Sequence, residues 1–211
     1  MRNTAYRGMK ELIAEHAVKA ESIRARLDEF ASVPREEYFY ELAYCLLTPQ
    51  SSAVHAGKVI AMLRQDDFMT RDFDPTPVLR HADHYIRFHN TKARHLREVR
   101  AAFPGIAAEL SNGHSSPALR AWLVRNVNGL GWKEASHFLR NTGHRNLAIL
   151  DRHILRNLQK HGVLKGLPTT LTEKRYMQIE QRFLHFADHT GISMDELDLL
   201  FWSRETGEIL K

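Results

Sequence analysis

Apolar residues recur every third or fourth position along most of this chain, the period of helices rather than strands. Leu12, Ile13, Ala17, Ala20, Ile23, Leu27 and Phe30 mark one face of a helix over residues 9–30. Residues 38–47 are nearly all apolar, as expected for a short helix at the centre of a core. Residues 53–63 give a third helix, and residues 72–77, with Pro75 and Pro77, read as a loop. Residues 91–102 form a basic helix bearing Lys92, Arg94, Arg97 and Arg100. A linker over 112–117 follows; its serines can cap the next helix, with Pro117 in the first turn.

Leu119, Trp122, Leu123 and Val127 carry that helix to an end near Val127. Another begins near Trp132, with Ala135, Phe138, Leu139 and Thr142 on one face and Gly143 placed as its C-terminal cap. The apolar run Asn146-Leu147-Ala148-Ile149-Leu150 leads to Asp151, which opens a helix striped by Ile154, Leu155 and Leu158 and closed by Lys165-Gly166-Leu167-Pro168. Thr170-x-x-Glu173 and Ser193-x-x-Glu196 read as capping boxes for the last two helices. There is no internal repeat and no set of alternating strands, and only residues 208–211 are compatible with an extended end. The expected fold class is all-α.

Composition narrows the function classes. With 211 residues, 43% hydrophobic and 26% charged, the chain can bury a sizeable core as one or two domains. A net charge of +5 and a pI of about 9.4 suit a polyanionic partner without requiring one. No run reaches transmembrane length, and residues 1–31 alternate charge with apolar residues instead of showing a secretory signal. One thiol, Cys45, lies among Leu42, Ala43, Leu46 and Leu47 as a small buried hydrophobe. No disulfide framework is possible with it, and a cytoplasmic, nucleoid-associated location is expected.

The chemistry concentrates in Val127-Asn128-Gly129-Leu130-Gly131-Trp132-Lys133-Glu134-Ala135. Helix, Gly-x-Gly turn and helix leave backbone N–H groups open beside a helix N-terminus, a site suited to a DNA phosphate. Lys133 stands in the first turn of the second helix, where the positive end of the dipole disfavours a further positive charge. A nucleophilic amine must be uncharged. Asp151 is well placed as an N-cap, and a cap holds its carboxylate in a fixed direction. Taken singly, the turn is compatible with plain helix packing, and Lys133 with a phosphate contact.

Together these residues resemble the helix–hairpin–helix DNA glycosylase superfamily. The hairpin Lys133 followed by Leu150-Asp151-Arg152-His153 resembles its bifunctional members. Three further segments are similar to the compact archaeal and bacterial 8-oxoguanine DNA glycosylase/lyases: Leu46-Leu47-Thr48-Pro49-Gln50-Ser51-Ser52, Ile86-Arg87-Phe88-His89-Asn90-Thr91-Lys92-Ala93, and the C-terminal stretch from Leu200 through Trp202 to Lys211.

The resemblance implies two helical subdomains with a DNA-binding cleft between them. Residues 36–143 would form a central bundle containing the hairpin motif at about 117–142, and residues 1–35 with 144–211 the second subdomain. It implies that Lys133 attacks C1′ of the damaged nucleotide and that Asp151 assists. Trp202 and Phe88 would stack on the flipped base, Gln50 would fill the gap, and the terminal carboxylate of Lys211 would recognise 8-oxoguanine. Gly129, Gly131 and Asn128 would grip DNA, and the carbonyls of Arg125, Val127 and Leu130 would hold a monovalent cation. A single cysteine cannot supply the four-cysteine iron–sulfur cluster of some relatives, so no such cofactor is expected. The expected partner is double-stranded DNA containing oxidised guanine, bound by a monomer without membrane involvement. His185 and His189, one turn apart, read as a surface pair rather than a zinc site. Two alternatives stay open: a glycosylase for another damaged base, and a non-catalytic DNA-binding module.

Overall fold

The structure is a computed structural model that describes residues 6–209. Among them are ten α-helices and no β-strand. In chain order the helices are α1 (Met9–Ala31), α2 (Tyr38–Leu47), α3 (Ala53–Gln65), α4 (Thr76–Arg80), α5 (His89–Leu110), α6 (Ser116–Asn126), α7 (Trp132–Asn141), α8 (Arg152–Lys160), α9 (Glu173–Thr190) and α10 (Met194–Thr206). Short 3-10 turns lie at Arg35–Glu37 and Ala82–His84. The chain forms two compact units: Val33–Phe138, and the described residues up to Ser32 with those from Leu139 onward.

The unit of residues 33–138 is built around α2, which packs against α3 and α5. Its apolar run leaves nine of its ten residues buried. Phe39 stacks edge-on against Tyr40 at 5.1 Å and Phe103 at 5.3 Å. Two elements depart from the sequence reading. Thr76 and Pro77, expected within a loop, open α4: Asp74 Oδ1 accepts from the Thr76 N–H at 3.0 Å, and a proline in a first turn removes a donor that has no partner there anyway. Helix α5, expected to end at residue 102, continues through Pro104 to Leu110. An interior proline costs about 3 kcal/mol. Phe103 and Ile106 are buried beside it. Burying two such side chains offsets that cost at ~1.5–3 kcal/mol each.

In the other unit α10 packs against α1, α8 and α9. Leu12, Ile23, Leu27 and Phe30 of α1 are buried, as are Tyr176, Phe183, Phe186, Leu197 and Phe201 of α9 and α10. Arg140 and Asp198 form a buried ion pair at 3.2 Å, and the Arg140 guanidinium lies 4.6 Å from the centre of the Phe30 ring. The capping box at Ser193 and Glu196 is formed. That expected at Thr170 is not: Thr172 caps α9, its hydroxyl accepting from the Arg175 N–H, so Glu173 falls at the first helical position. Helix α8 stops at Lys160, earlier than expected, because Gly162 takes a left-handed conformation (φ 77°) and reverses the chain. Ser115 stands at the N-cap of α6 without a side-chain cap bond.

Candidate active site

The hairpin emerges where α6 ends at Asn126 and Val127 turns extended. Leu130 N–H donates to the Val127 carbonyl at 3.2 Å and closes the turn. Gly129 supplies its left-handed residue (φ 85°). A β-carbon there would collide with the His95 ring of α5, so the hairpin backbone lies directly on that helix. Asn128 Nδ2 donates to Glu98 Oε2 at 3.2 Å and ties the turn to α5 a second time. The Asn128 amide thus spends one of its two N–H donors on docking the hairpin.

Trp132, the first residue of α7, is held from beneath. Arg120, only 1% exposed, places its guanidinium 5.3 Å from the Trp132 ring and donates to Ser136 Oγ at 3.1 Å. Ser136 in turn donates to the Trp132 carbonyl at 2.9 Å. A buried guanidinium of this kind is kept only when hydrogen-bonded, and here it fixes the start of the helix that carries Lys133. The Lys133 side chain is 26% exposed, accessible to a ligand, with its ammonium 3.6 Å from Glu134. Glu134 adds the negative charge that suits a helix N-terminus. Lys133 is also near enough to act on Lys92, whose pKa is lowered to about 8 by burial first and by Lys133 second, with Glu134 opposing.

Gln50 and Phe88 lie in the same unit. Both are non-glycine residues in the left-handed region, at φ 55° and 60°. That conformation is uncommon for any L-residue and more so for a bulky one. Gln50 is exposed at the loop after α2. Phe88, at the N-terminal boundary of α5, exposes 50% of its surface and carries the Arg87 guanidinium 5.0 Å from its ring centre. It is therefore not a core aromatic.

Asp151 belongs to the other unit. It caps α8, its Oδ1 accepting from the Ile154 N–H at 2.8 Å. The run that delivers it, Leu147 to Leu150, is buried yet not helical, so its backbone needs partners from elsewhere. Side chains supply them: Asp195 accepts from the Asn146 N–H at 3.0 Å and Glu180 from the Ala148 N–H at 2.8 Å. The Tyr176 hydroxyl donates to the Ala148 carbonyl at 2.6 Å and accepts from the Leu150 N–H at 3.2 Å. Burial pushes the Asp195 carboxyl above the usual range, against the pull of the Asn146 N–H, Arg145 and Arg140. In the same unit Trp202 of α10 is half-buried, its ring 5.1 Å from that of His153. Lys211 lies outside the described residues.

Several supporting residues escaped the sequence reading: Glu98, His95, Arg120, Ser136, Tyr176 and Glu180. Apart from Ser136, which bonds within its own helix, each acts on a segment distant in the chain and so carries no local signal. A cavity of about 400 Å³ beside Tyr6, Lys165, Arg182 and His185 is lined by none of the expected catalytic residues. Among the described residues no group of three or more His, Cys, Asp or Glu is placed to hold a metal ion. The Val127 carbonyl spends one lone pair on Leu130 N–H and keeps the other. Arg125 lies in the last turn of α6, where carbonyls lack intrahelical donors. Carbonyl oxygens of this kind are the donors that a monovalent cation would take.

Comparison with known proteins bears on this geometry. Residues 23–192 match the family model described as 8-oxoguanine DNA glycosylase. An 8-oxoguanine DNA glycosylase/AP lyase of Fusobacterium nucleatum is 40% identical over 198 residues, covering 89% of this chain and 90% of the relative. The crystal structure of Methanocaldococcus jannaschii 8-oxoguanine DNA glycosylase superposes with a TM-score of 0.85 at 32% identity, covering 96% of this chain and 95% of that one. Its complex with a 15mer DNA containing 8-oxoguanine superposes at 0.84 and 31% identity, covering 95% of this chain and 100% of the other.

Proposed function

The chain belongs to the 8-oxoguanine DNA glycosylase family, of helix–hairpin–helix fold, and from that membership we propose that it excises 8-oxoguanine from duplex DNA and cleaves the strand at the abasic site, with Lys133 as nucleophile. The observation that carries the nucleophile is the accessible Lys133 amine in the first turn after the Gly129 hairpin, on a helix start anchored by Arg120.

The uncharged Nζ bonds to C1′ of the extruded nucleotide while the C1′–N9 bond breaks, its electron pair leaving with the oxidised base. Positive charge develops on the sugar as the base departs, and the Asp151 carboxylate, fixed by its capping bond, stabilises it. Ring opening gives a Schiff base. Loss of a C2′ proton then expels the 3′ phosphate by β-elimination. Extrusion is required because C1′ and the lesion cannot be engaged inside the stack. Exposed Phe88 and half-buried Trp202 offer aromatic faces to the base, and Gln50 fills the vacated position. A monovalent cation on the carbonyls of Arg125, Val127 and Leu130 would add positive charge against the phosphate held by the hairpin.

Borohydride trapping on 8-oxoguanine duplex tests the reading. Wild-type protein is expected to give a covalent adduct and Lys133→Gln none. An adduct of equal yield with Lys133→Gln would show that another amine attacks. Tight binding with no excision would leave a passive DNA-binding module.

A further inference from the structure

Lys92 is 6% exposed, a cationic amine inside the unit of residues 33–138. Its Nζ donates to three acceptors on one short stretch: the Leu47 carbonyl at 2.7 Å, the Pro49 carbonyl at 2.6 Å and Ser51 Oγ at 3.1 Å. Leu47 closes α2, so the ammonium sits at the negative end of that helix and satisfies one of its unpaired carbonyls. Removing an ammonium from water is expensive, and an apolar side chain would fill the space more cheaply. The charge therefore calls for a reason beyond packing.

Its position supplies one. Gln50 lies between two of the residues that Lys92 holds, and its backbone is left-handed. Ser51 Oγ accepts a second bond, from the Arg87 N–H at 3.0 Å, so the same oxygen fastens the turn that presents Phe88. Phe88 is left-handed too, and its carbonyl accepts from the Lys92 N–H at 3.0 Å. Two strained, exposed side chains on separate segments are thus fixed through one amine and one hydroxyl. Strain of roughly 1–3 kcal/mol per such residue persists only where surrounding bonds impose it.

We propose that Lys92 is a positioning residue for base extrusion, holding the Gln50 loop and the Phe88 turn in register so that one fills the duplex gap while the other receives the base. This rests on the glycosylase reading above and assigns Lys92 a part distinct from that of the nucleophile. An intact lesion must be unstacked and its place filled. An abasic nucleotide has no base to unstack, so its cleavage depends far less on the clamp.

The test compares two duplexes, one with 8-oxoguanine and one with an abasic site, under single-turnover conditions. Lys92→Met is expected to lower the rate of base excision about 10- to 100-fold, the scale of a small misplacement. Its rate of borohydride trapping on abasic duplex should stay within about threefold of wild type, since the nucleophile itself is kept and burial outweighs its coupling to Lys92. Equal loss on both duplexes, or no loss on either, overturns the proposal. If Lys92→Met melts before assay temperature, Ser51→Ala decides in its place, with the same split expected at smaller size. Wild-type protein that acts on neither duplex would instead remove the glycosylase reading itself.

Discussion

The imidazole of His95 occupies the place where a β-carbon on Gly129 would stand: Cε1 lies 2.8 Å from that point and Nδ1 nearer still. Burial holds the His95 pKa below the ordinary histidine range, Glu98 opposing and Arg94 assisting. The hairpin therefore rests on an uncharged ring, and its own N–H groups add positive potential for a phosphate.

Gly129→Ala should weaken both fold and duplex affinity. The left-handed backbone alone costs an L-residue about 1–2 kcal/mol, and the collision with His95 adds to it. Pairing Gly129→Ala with His95→Ala should relieve the collision but not the backbone strain. Melting temperature and duplex titration at fixed salt give the comparison; wild-type affinity in Gly129→Ala would remove the hairpin from the DNA interface.

Asp151→Asn separates the cap from the charge. Asparagine caps as well as aspartate, so stability should change by less than ~0.5 kcal/mol. Excision of 8-oxoguanine should fall about 100-fold or more if the carboxylate stabilises charge on the sugar. Wild-type excision in this variant would leave Asp151 as a cap alone.

Tyr176→Phe tests how Asp151 is aimed. It strips the partner from the buried Ala148 carbonyl and Leu150 N–H. The expected loss is ~1–3 kcal/mol of stability. The rate of excision should fall more than duplex affinity, because the segment ending at Asp151 loosens while the hairpin does not. Equal losses in rate and affinity would refute that route.

Lys92 gives a pH signature with a definite sign. Its pKa is about 8 in the folded chain against an ordinary 10.5. Between those values the unfolded chain holds a proton that the folded chain has released, so stability should rise with pH relative to Lys92→Met. A neutral amine keeps only two donors for its three acceptors, so the excision advantage of wild type over Lys92→Met should shrink over the same range while stability grows. Denaturant titrations of both proteins across pH 8–10 check this; a constant difference between them would show that the amine titrates normally.

Period alone made much of this fold readable. The apolar run over 38–47 and the change of pattern at Trp132 mark helix limits that the structure keeps, and Asp151 caps as its position suggests. Misreadings arose where a local signal was outweighed. The helix expected to end at residue 102 runs on past Pro104, with Phe103 and Ile106 buried beside it. Thr170 has the spacing of a capping box, but the helix starts two residues later and Thr172 caps it. The part played by Lys92 could not be read from its neighbours: in a basic stretch it looks solvated, and its acceptors lie 41 to 45 positions earlier in the chain.

Helix α5 bears the Phe88 turn at its start, Lys92 one turn along, and His95 and Glu98 against the hairpin. Each successive residue of a helix advances the azimuth by about 100°. A single inserted or deleted codon between Lys92 and His95 would therefore swing the hairpin-bearing half out of phase with the half that serves the extrusion loop. Length variation among descendants of this chain should accumulate in its surface connections and spare that stretch.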